Sequence, residues 1–331
     1  MNTKKFFSPE SEAERRDLYA KVRIGNLSPS DYSRLTWSEG YSLPLYLPDG
    51  ARGLIFSDKH APAQNRRALH AVYNFQEYFR PHVNFEVGDY CDMFALSRWP
   101  KHPRTPTNPQ REIDEAALCL RRSMRSDRHG NPRDGAPFWT FVDEGNHDGD
   151  RITRYLTNVC PTFSHFLDPQ TRNPFTAMVN MMGFTPEDPI TFLSGLDERG
   201  GYEGGVLVNG EYKIEHGEIV KPIAGESVRA TAEAMMQSTG MGHVHRAGRF
   251  ARDIDGKVLR GDEFGCLIDM DHPYFNYHHG RHNWFLAFGV YHVIGGLVHT
   301  QIIPIFEALD DNGQLQYWFE YDGRVFRSSD R

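Results

Sequence analysis

The sequence predicts an α/β fold, because short apolar runs typical of buried strands alternate with longer stretches whose apolar residues recur at helical spacing. Three such strand and helix pairs follow one another between residues 53 and 160. A strand-like segment between residues 264 and 305 indicates a second part of the sheet structure. The chain has 331 residues, which is enough to bury a sizeable core.

The first half of the chain contains three predicted strands. They are GLIFSD at residues 53–58, HVNFEVGD at 82–89 and PFWTFVDEGNHD at 137–148. Each is an apolar run that ends in polar residues, as a buried strand does where it leaves its sheet. Three helices are predicted after these strands, at residues 62–81, 108–126 and 150–160.

The helix predictions rest on periodicity and on the positions of prolines. Leu69, Val72 and Phe79 fall near helical spacing in the first helix. Pro62 suits its first turn, and Pro81 lies beyond its end. One face of the second helix is apolar and is formed by Ile113, Ala117, Leu120 and Met124.

The second half of the chain is predicted to be richer in loops and strands. Residues 185–225 are expected to be mainly loop, apart from a short alternating strand in YKIEHGE that ends at His216. A helix, GESVRATAEAMMQS, leads to GMGHVH. FGCLIDM and the run from 283 to 309 are strand-like, and Gly295-Gly296 suits a tight hairpin turn.

The domain organisation is predicted to be an N-terminal extension at residues 1–50, with no assigned chemistry, and one catalytic domain at residues 51–331. No run of about 18 apolar residues is present, and the charged N-terminus lacks an apolar signal core. Four widely spaced cysteines are expected to be free thiols: Cys91, Cys119, Cys160 and Cys266. These features predict a cytoplasmic protein that does not enter membranes.

The net charge of −7 argues against a general nucleic-acid binder, but the charge is unevenly distributed. The segment from Arg98 to Arg133 contains nine Lys or Arg and four Asp or Glu, so that its net charge is +5. Such a segment is either a solvated loop and helix or a patch that meets a phosphate-rich substrate.

Polar side chains follow each of the three predicted strands. They are Asp58 and His60, then Asp89 and Asp92, then Asn146, His147 and Asp148. Asp and Asn are common turn residues, so any one of these could be structural. Because ligands bind at the carboxyl ends of strands in α/β sheets, the three groups together predict a site at one edge.

Seven candidate ligands in the chain supply two carboxylates, one amide oxygen and four imidazoles. They are Asp58, His60, Asp89, Asn146, His216, His243 and His245. This mixture suits Mn²⁺, Fe²⁺, Zn²⁺ or Ni²⁺ rather than a thiolate site. One metal that keeps an open position cannot use them all, whereas two metals that share a carboxylate can.

Five short motifs resemble those of the calcineurin-like metallophosphoesterase family and occur in the family's order. They are DKH at 58–60, GDYCD at 88–92, GNHD at 145–148, HGE at 216–218 and GHVH at 242–245. The resemblance covers roughly residues 52–305, and the strand-rich tail is similar to bacteriophage versions. It implies a four-layer α/β/β/α sandwich of two mixed sheets flanked by helices, and the host cytoplasm as the compartment of a phage-encoded protein.

The resemblance also implies a role for each candidate. One metal is expected on Asp58, His60 and His245, and the other on Asn146, His216 and His243, with Asp89 as the bridge. Mn²⁺ is the expected ion, with Zn²⁺, Fe²⁺ and Ni²⁺ as alternatives. A hydroxide that bridges the metals would attack the phosphorus. His147 would assist the leaving group, and Asp92 would orient the imidazole of His147.

The predicted reaction is hydrolysis of phosphodiester bonds, with nucleic acid or nucleotides as the expected substrates. The alternatives are a phosphomonoesterase acting on nucleotides or phosphoproteins, and a binding scaffold without catalysis. Met93 and Phe94 stand where protein phosphatases carry Arg-Gly, and Asp148 replaces their Glu, which argues against a Ser/Thr protein phosphatase. Arg246, Arg249 and Arg98 are predicted either to bind substrate phosphate or to form surface salt bridges.

Overall fold

The structure of the chain is a computed structural model. The structure describes residues 42–98, 101, 105, 107–125, 136–159, 181–184, 188–193, 204–275 and 283–329. Cys160, which is predicted to be a free thiol, lies outside these described residues, and so do residues 1–41 of the predicted N-terminal extension.

Two six-stranded mixed sheets form the centre of the described structure. The first has the strand order β12-β11-β2-β3-β4-β5 and the second the order β1-β6-β7-β8-β10-β9. Their strands are β1 (Leu43–Leu45), β2 (Arg52–Phe56), β3 (Val83–Val87), β4 (Trp139–Asp143), β5 (Ile190–Leu193), β6 (Val206–Val208), β7 (Tyr212–Glu215), β8 (Ser238–Met241), β9 (Ala247–Ile254), β10 (Lys257–Phe264), β11 (Ala287–Ile294) and β12 (Leu297–Pro304).

Helices cover the outer faces of both sheets. In the described residues they are α1 (Arg66–Phe79), α2 (Pro109–Ser123), α3 (Arg151–Asn158) and α4 (Glu226–Met235). The strands β2, β3, β4 and β5 run parallel, and α1, α2 and α3 lie in the connections between them. This confirms the predicted alternation of strands and helices.

Side-chain alternation along the strands creates two separate apolar layers. On β2, Leu54 and Phe56 pack with Leu69 and Val72 of α1. Ile55 between them belongs instead to the layer between the two sheets. That inner layer also holds Phe85 and Phe141 of the first sheet and Val208, Ile214 and Phe264 of the second.

The second sheet is covered by α4, where Val228 packs on Met241 of β8. The described part of the chain therefore contains the predicted α/β/β/α layers. A small third sheet, formed by β13 (Phe306–Leu309), β14 (Leu315–Tyr321) and β15 (Arg324–Arg327), was not predicted. It packs on α1 through Phe319 and Phe326, whose rings contact Phe75.

Several boundaries differ from the sequence predictions. The predicted extension at residues 1–50 contains β1, which pairs with β6, and Leu43, Leu45 and Leu47 are buried in the inner layer. The sheet therefore begins before residue 50. The segment 185–225, expected to be mainly loop, contains the strands β5 and β6. These strands have only three or four residues and, unlike YKIE, do not alternate strictly between apolar and polar residues.

The strand predictions are also wrong for the region between α4 and residue 270. The hairpin of β9 and β10 was missed, and FGCLIDM is not a strand. Beyond Phe264, the residues Cys266 and Ile268 form only isolated bridges. The hairpin at Gly295-Gly296 is confirmed, since Ile294 pairs with Leu297 across it and both glycines have positive φ, 60° and 77°.

The first helix begins later than predicted. Its N-cap is Asn65, whose side chain accepts a hydrogen bond from the Ala68 N–H at 3.0 Å, so Pro62 lies before the helix and not in its first turn. The second helix begins at Pro109, after the N-cap Asn108, as the sequence indicated.

A buried ion pair joins the first sheet to α2 directly beneath the polar edge. Lys59 lies between Asp58 and His60 and is fully buried. Its Nζ lies 2.5 Å from Glu86 Oε1 on β3 and 2.5 Å from Ser123 Oγ on α2. The Phe56 ring lies 4.0 Å from the same ammonium group. Lys59 of the DKH motif thus anchors the end of β2, while its neighbours Asp58 and His60 contribute to the site.

We expect Glu86→Gln to destabilise the protein by about 3–5 kcal/mol, because the substitution leaves the buried Lys59 charge without its partner. The free energy of unfolding in urea measures the loss. Glu77→Gln is the matched control, since Glu77 pairs with Arg125 but its side chain is 56% exposed. The control should change stability by less than about 1 kcal/mol. Equal losses in both variants would contradict a structural role for the buried pair.

Candidate metal centre

The ends of five strands, three in the first sheet and two in the second, bring the candidate ligands together. Asp58 and His60 follow β2, Asp89 follows β3 and Asn146 follows β4. The second sheet contributes the remaining three, since His216 follows β7 directly and His243 and His245 follow β8. Asp58, His60 and Asp89 are each no more than 1% exposed. The site therefore lies at the edge where the two sheets meet.

The first group of donor atoms consists of Asp58, His60, Asp89 and His245, all within 4.8 Å of one another. The Nε2 atoms of His60 and His245 lie 3.0 Å apart. Asp58 Oδ1 lies 3.2 Å from His245 Nε2, and Asp89 Oδ2 lies 3.6 Å from His60 Nε2.

The second group consists of Asp89, His216 and His243, with Asn146 beside them. The Asn146 Oδ1 lies 3.0 Å from His216 Nε2 and 2.9 Å from His243 Nδ1. His216 Nε2 is 3.5 Å from Asp89 Oδ2. Asp89 is therefore common to both groups, and the two histidines of GHVH belong to different groups.

These donors fit divalent metals. Two ligand atoms on a tetrahedral zinc ion, each about 2.0–2.1 Å from the metal, lie about 3.3 Å apart. Most of the separations within the two groups fall near this value. Carboxylate, amide and imidazole donors suit divalent transition metals, and their number suffices for two ions that share Asp89.

The backbone is left-handed at five of the candidate ligands. The φ angles are 46° at Asp58, 49° at His60, 49° at Asp89, 65° at His243 and 57° at His245. Side chains other than glycine rarely adopt this conformation, which costs free energy and is concentrated at functional sites. The surrounding packing therefore holds these side chains in place.

Two motif glycines let the ligand loops approach each other. A Cβ atom on Gly145 would lie 2.2 Å from Asp89 Oδ1, and one on Gly242 would lie 2.5 Å from Asp58 Oδ2. Backbone N–H groups also hold these carboxylates. The His147 N–H donates to Asp89 Oδ1 at 2.7 Å, and the His243 N–H donates to Asp58 Oδ2 at 2.9 Å.

The electrostatics of the site keep its carboxylates ionised. Burial raises the pKa of Asp89, but His147 and His216 more than offset this effect, so that the pKa lies below its usual value. Burial lowers the pKa of His216, but Asp89 and Asp58 more than offset it and bring it to about 9. Burial and the neighbouring His216 lower the pKa of His243 to about 4. The charged form of Asp89 is therefore the stable one.

Partners outside the two groups orient two of the imidazoles. His216 Nδ1 lies 2.7 Å from the Val87 carbonyl, and His60 Nδ1 lies 2.9 Å from Asp92 Oδ2. In both rings these contacts leave Nε2 directed at the metal groups. Such partners fix the tautomer of a metal-binding histidine and raise its basicity.

Asp92 has more partners than the sequence predicted. It was expected to orient His147, and its Oδ2 lies 3.3 Å from His147 Nδ1. The same oxygen is closer to His60, and Oδ1 lies 2.9 Å from the Nη1 of Arg151. Burial raises the pKa of Asp92, but His147 and His60 outweigh it and hold the pKa well below its usual value. Asp92 thus connects a metal ligand to His147.

Arg151 is the functional candidate that sequence reasoning missed. Its Nη2 lies 3.1 Å from His147 Nε2, four residues before it in the chain. The sequence contains this signal, since residues four apart share one face of a helix. His60, Asp92 and His147 also form a third set of potential ligand atoms. The Arg151 guanidinium beside this set disfavours a cation there.

Asp148 of GNHD fastens two ligand loops and does not belong to either group. It is fully buried, and its carboxylate accepts hydrogen bonds from the N–H groups of Gly145 at 2.6 Å and Tyr90 at 2.9 Å. Burial and the charge of Asp89 raise its pKa well above the usual value.

The three arginines predicted from sequence have different surroundings. Arg249 forms an ion pair with Asp262 at 2.6 Å and donates to the Thr300 carbonyl at 2.7 Å. Arg246 donates to Asn283 Oδ1 at 2.9 Å and to the Lys221 carbonyl. Arg98 is exposed. The first two guanidinium groups are thus engaged with the protein itself.

The basic segment from 98 to 133 is partly neutralised where it is described. Arg121 pairs with Asp188 at 3.2 Å, and Arg125 pairs with Glu77 at 3.2 Å. Arg98, Arg111 and Arg122 remain exposed. Residues 99–100, 102–104, 106 and 126–133 of this segment lie outside the described residues.

The described cysteines, Cys91, Cys119 and Cys266, are buried free thiols. Within the same part of the chain, no helix is both long enough and apolar enough to span a lipid bilayer.

Comparison with known proteins identifies relatives encoded by mycobacteriophages. The chain is 27% identical over 286 residues to the gene 54 protein of Mycobacterium phage L5, covering 83% of this chain and 98% of the relative. It is 26% identical over 268 residues to the gene 54 protein of Mycobacterium phage D29, covering 77% and 93%. The sequence matches no protein-family model.

Similar solved structures include Vps29 proteins of two protozoa. A single mutant of Vps29 from Entamoeba histolytica is 13% identical, with a TM-score of 0.36 and coverage of 83% of this chain and 96% of that one. Wild-type Vps29 from the same organism, complexed with zinc, is 12% identical, with a TM-score of 0.34 and the same coverage. Vacuolar protein sorting 29 from Cryptosporidium parvum is 10% identical, with a TM-score of 0.37, covering 85% and 96%.

We expect Asp89→Asn to abolish stoichiometric binding of both metal ions, because the substitution removes the charged carboxylate common to the two groups. Metal content after loading with Mn²⁺ and removal of the excess measures this loss. Asp114→Asn, which changes an exposed carboxylate on α2, is the matched control and should retain the wild-type content. Retention of two ions by the Asp89 variant would contradict the bridging position.

Proposed function

We propose that this protein is a di-metal-dependent phosphoesterase that hydrolyses phosphodiester bonds, with nucleic acid or nucleotides as its substrates. The single observation that carries the proposal is Asp89, a buried carboxylate common to two groups of metal-ligating side chains. The five motifs that resemble the calcineurin-like metallophosphoesterases supply the same residues in the same order. The phage relatives match most of the chain.

In this proposal, Asp58, His60, Asp89 and His245 hold one cation, and Asp89, Asn146, His216 and His243 hold the other. Mn²⁺ is the proposed ion because oxygen and imidazole donors suit it, and Zn²⁺, Fe²⁺ and Ni²⁺ bind such donors as well. Two cations in these positions would activate water and neutralise the charge that develops on the phosphate.

His147 supplies the proton-transfer group of the proposed reaction. Its side chain is 15% exposed, whereas those of the neighbouring ligands His60 and His216 are 2% or less. Its Nε2 lies 4.0 Å from Asp89 Oδ2, so the imidazole lies at the mouth of the metal site. From there it can hold a proton for the leaving oxygen, while Asp92 beside Nδ1 orients the ring.

The preference for a diester rests on the exposed part of the basic segment. Arg98, Arg111 and Arg122 are exposed and can attract a substrate that carries several phosphates. A phosphomonoester substrate needs no such surface. A phosphodiester is therefore the proposed substrate class, and the rates of hydrolysis of a chromogenic diester and a chromogenic monoester test this choice.

We expect the Mn²⁺-loaded protein to cleave bis-p-nitrophenyl phosphate faster than p-nitrophenyl phosphate. Rates of p-nitrophenolate release, with the Asp89→Asn variant as the inactive control, measure this preference. Faster cleavage of the monoester would assign the protein to the phosphomonoesterases. No cleavage of either ester by protein that binds two ions would favour a non-catalytic scaffold.

We expect His147→Gln to lower kcat by about 10²–10⁴-fold, since a positioned acid or base contributes roughly that factor, while both metal ions stay bound. Turnover and metal content are measured on the same preparation. His70→Gln, an exposed position on α1, is the control and should leave both unchanged. Loss of metal from the His147 variant would show that this residue is a ligand and not the proton-transfer group.

A further inference from the structure

The guanidinium group of Arg151 lies beside the metal site and is held there by the protein. Its Nη1 lies 2.9 Å from Asp92 Oδ1 and 2.7 Å from the Asp92 carbonyl oxygen. Its Nη2 lies 3.1 Å from His147 Nε2, which in turn lies 4.0 Å from Asp89 Oδ2. His147 therefore lies between the positive charge of Arg151 and Asp89, the carboxylate common to both metal groups.

A widened helical turn places Arg151 there. Residues Asn146–Asp150 form a π-helical turn, and the N–H of Arg151 bonds the Asn146 carbonyl, five residues back. Gly149 permits the turn, since a Cβ atom at this position would lie 1.6 Å from Glu144 Oε1. Such turns recur at functional sites because they change the direction of a side chain within a helix. The turn therefore presents Asn146, His147 and Arg151 to one site.

Arg151 also retains donors that the protein does not use. Two hydrogens of Nη1 serve Asp92, and one of Nη2 serves His147. In the described structure, no acceptor contacts the Nε–H or the second hydrogen of Nη2. The side chain is 16% exposed. An arginine offers five N–H donors in a planar arrangement that matches the oxygens of a phosphate.

We propose that Arg151 binds a non-bridging oxygen of the substrate phosphate and stabilises the negative charge that it carries during the reaction. The inference rests on the proposed function, because it assigns the phosphate to the same site. A phosphate oxygen can replace His147 Nε2 as the acceptor of the hydrogen bond from Arg151 Nη2. His147 Nε2 would then be free to face the leaving oxygen. Phosphate binding was one of the two alternatives for Arg246 and Arg249, whose guanidinium groups bond to the protein itself.

The test compares Arg151→Ala and Arg151→Lys with Arg154→Ala, an exposed arginine three residues along α3. Inorganic phosphate is the probe, and its dissociation constant from the Mn²⁺-loaded protein is measured by calorimetry, independently of turnover. We expect Arg151→Ala to weaken phosphate binding about tenfold or more, because a charge-assisted hydrogen bond is lost. We also expect kcat/KM for bis-p-nitrophenyl phosphate to fall on the order of 10²-fold with both metals retained. Lysine at 151, or added guanidinium salt with the alanine variant, should restore part of both.

Three results would overturn the inference. Unchanged phosphate affinity with reduced kcat would show that Arg151 only holds Asp92 and His147 in place. Loss of metal from Arg151→Ala would show that it acts through Asp92 and His60. An equal effect of Arg154→Ala would show a general effect of α3. If the wild type binds phosphate but cleaves neither ester, the proposed function fails while the comparison of phosphate affinities still decides the role of Arg151.

Discussion

The structure depends on the cost of burying three carboxylates in one place. Asp58, Asp89 and Asp92 are each 2% exposed or less. Ionised groups in such a position are stable only with hydrogen bonds and positive charge around them. Backbone N–H groups, the Arg151 guanidinium and, in their protonated form, the neighbouring imidazoles supply this compensation. Divalent cations bound by the two groups would supply it in place of the imidazole protons, which is why a metal centre is the natural interpretation.

The two-sheet architecture explains why ligands so distant in the chain converge. Successive parallel strands β2, β3 and β4 end at the same edge, and each delivers one motif there. The second sheet meets this edge through β7 and β8, which are also parallel. Because each motif is attached to a strand end, its order in the chain follows the order of strands. The apolar layer between the sheets fixes their relative position and therefore the distance between the motifs.

The predictions succeeded where one physical signal was strong. Helical periodicity located α1 and α2, and apolar runs located β2, β3 and β4. They failed for β1, β5 and β6, which have only three or four residues and, unlike β7, do not alternate strictly between apolar and polar residues. The sequence left two alternatives for Arg249, and the partner in its ion pair, Asp262, lies on a hairpin strand that the sequence did not reveal.

The sequence by itself determined the α/β class and the seven candidate ligands, because residue type and motif order are written in the chain. The resemblance of the motifs implied a division of these ligands between two metals, and only the tertiary structure gives the distances within each group and the left-handed backbone at five of the ligands. Only the tertiary structure brought Arg151 to Asp92, which belongs to another motif, through a π-helical turn. The type of each ligand can be read from the sequence, whereas the distances between ligands follow from the way the strand ends pack against each other.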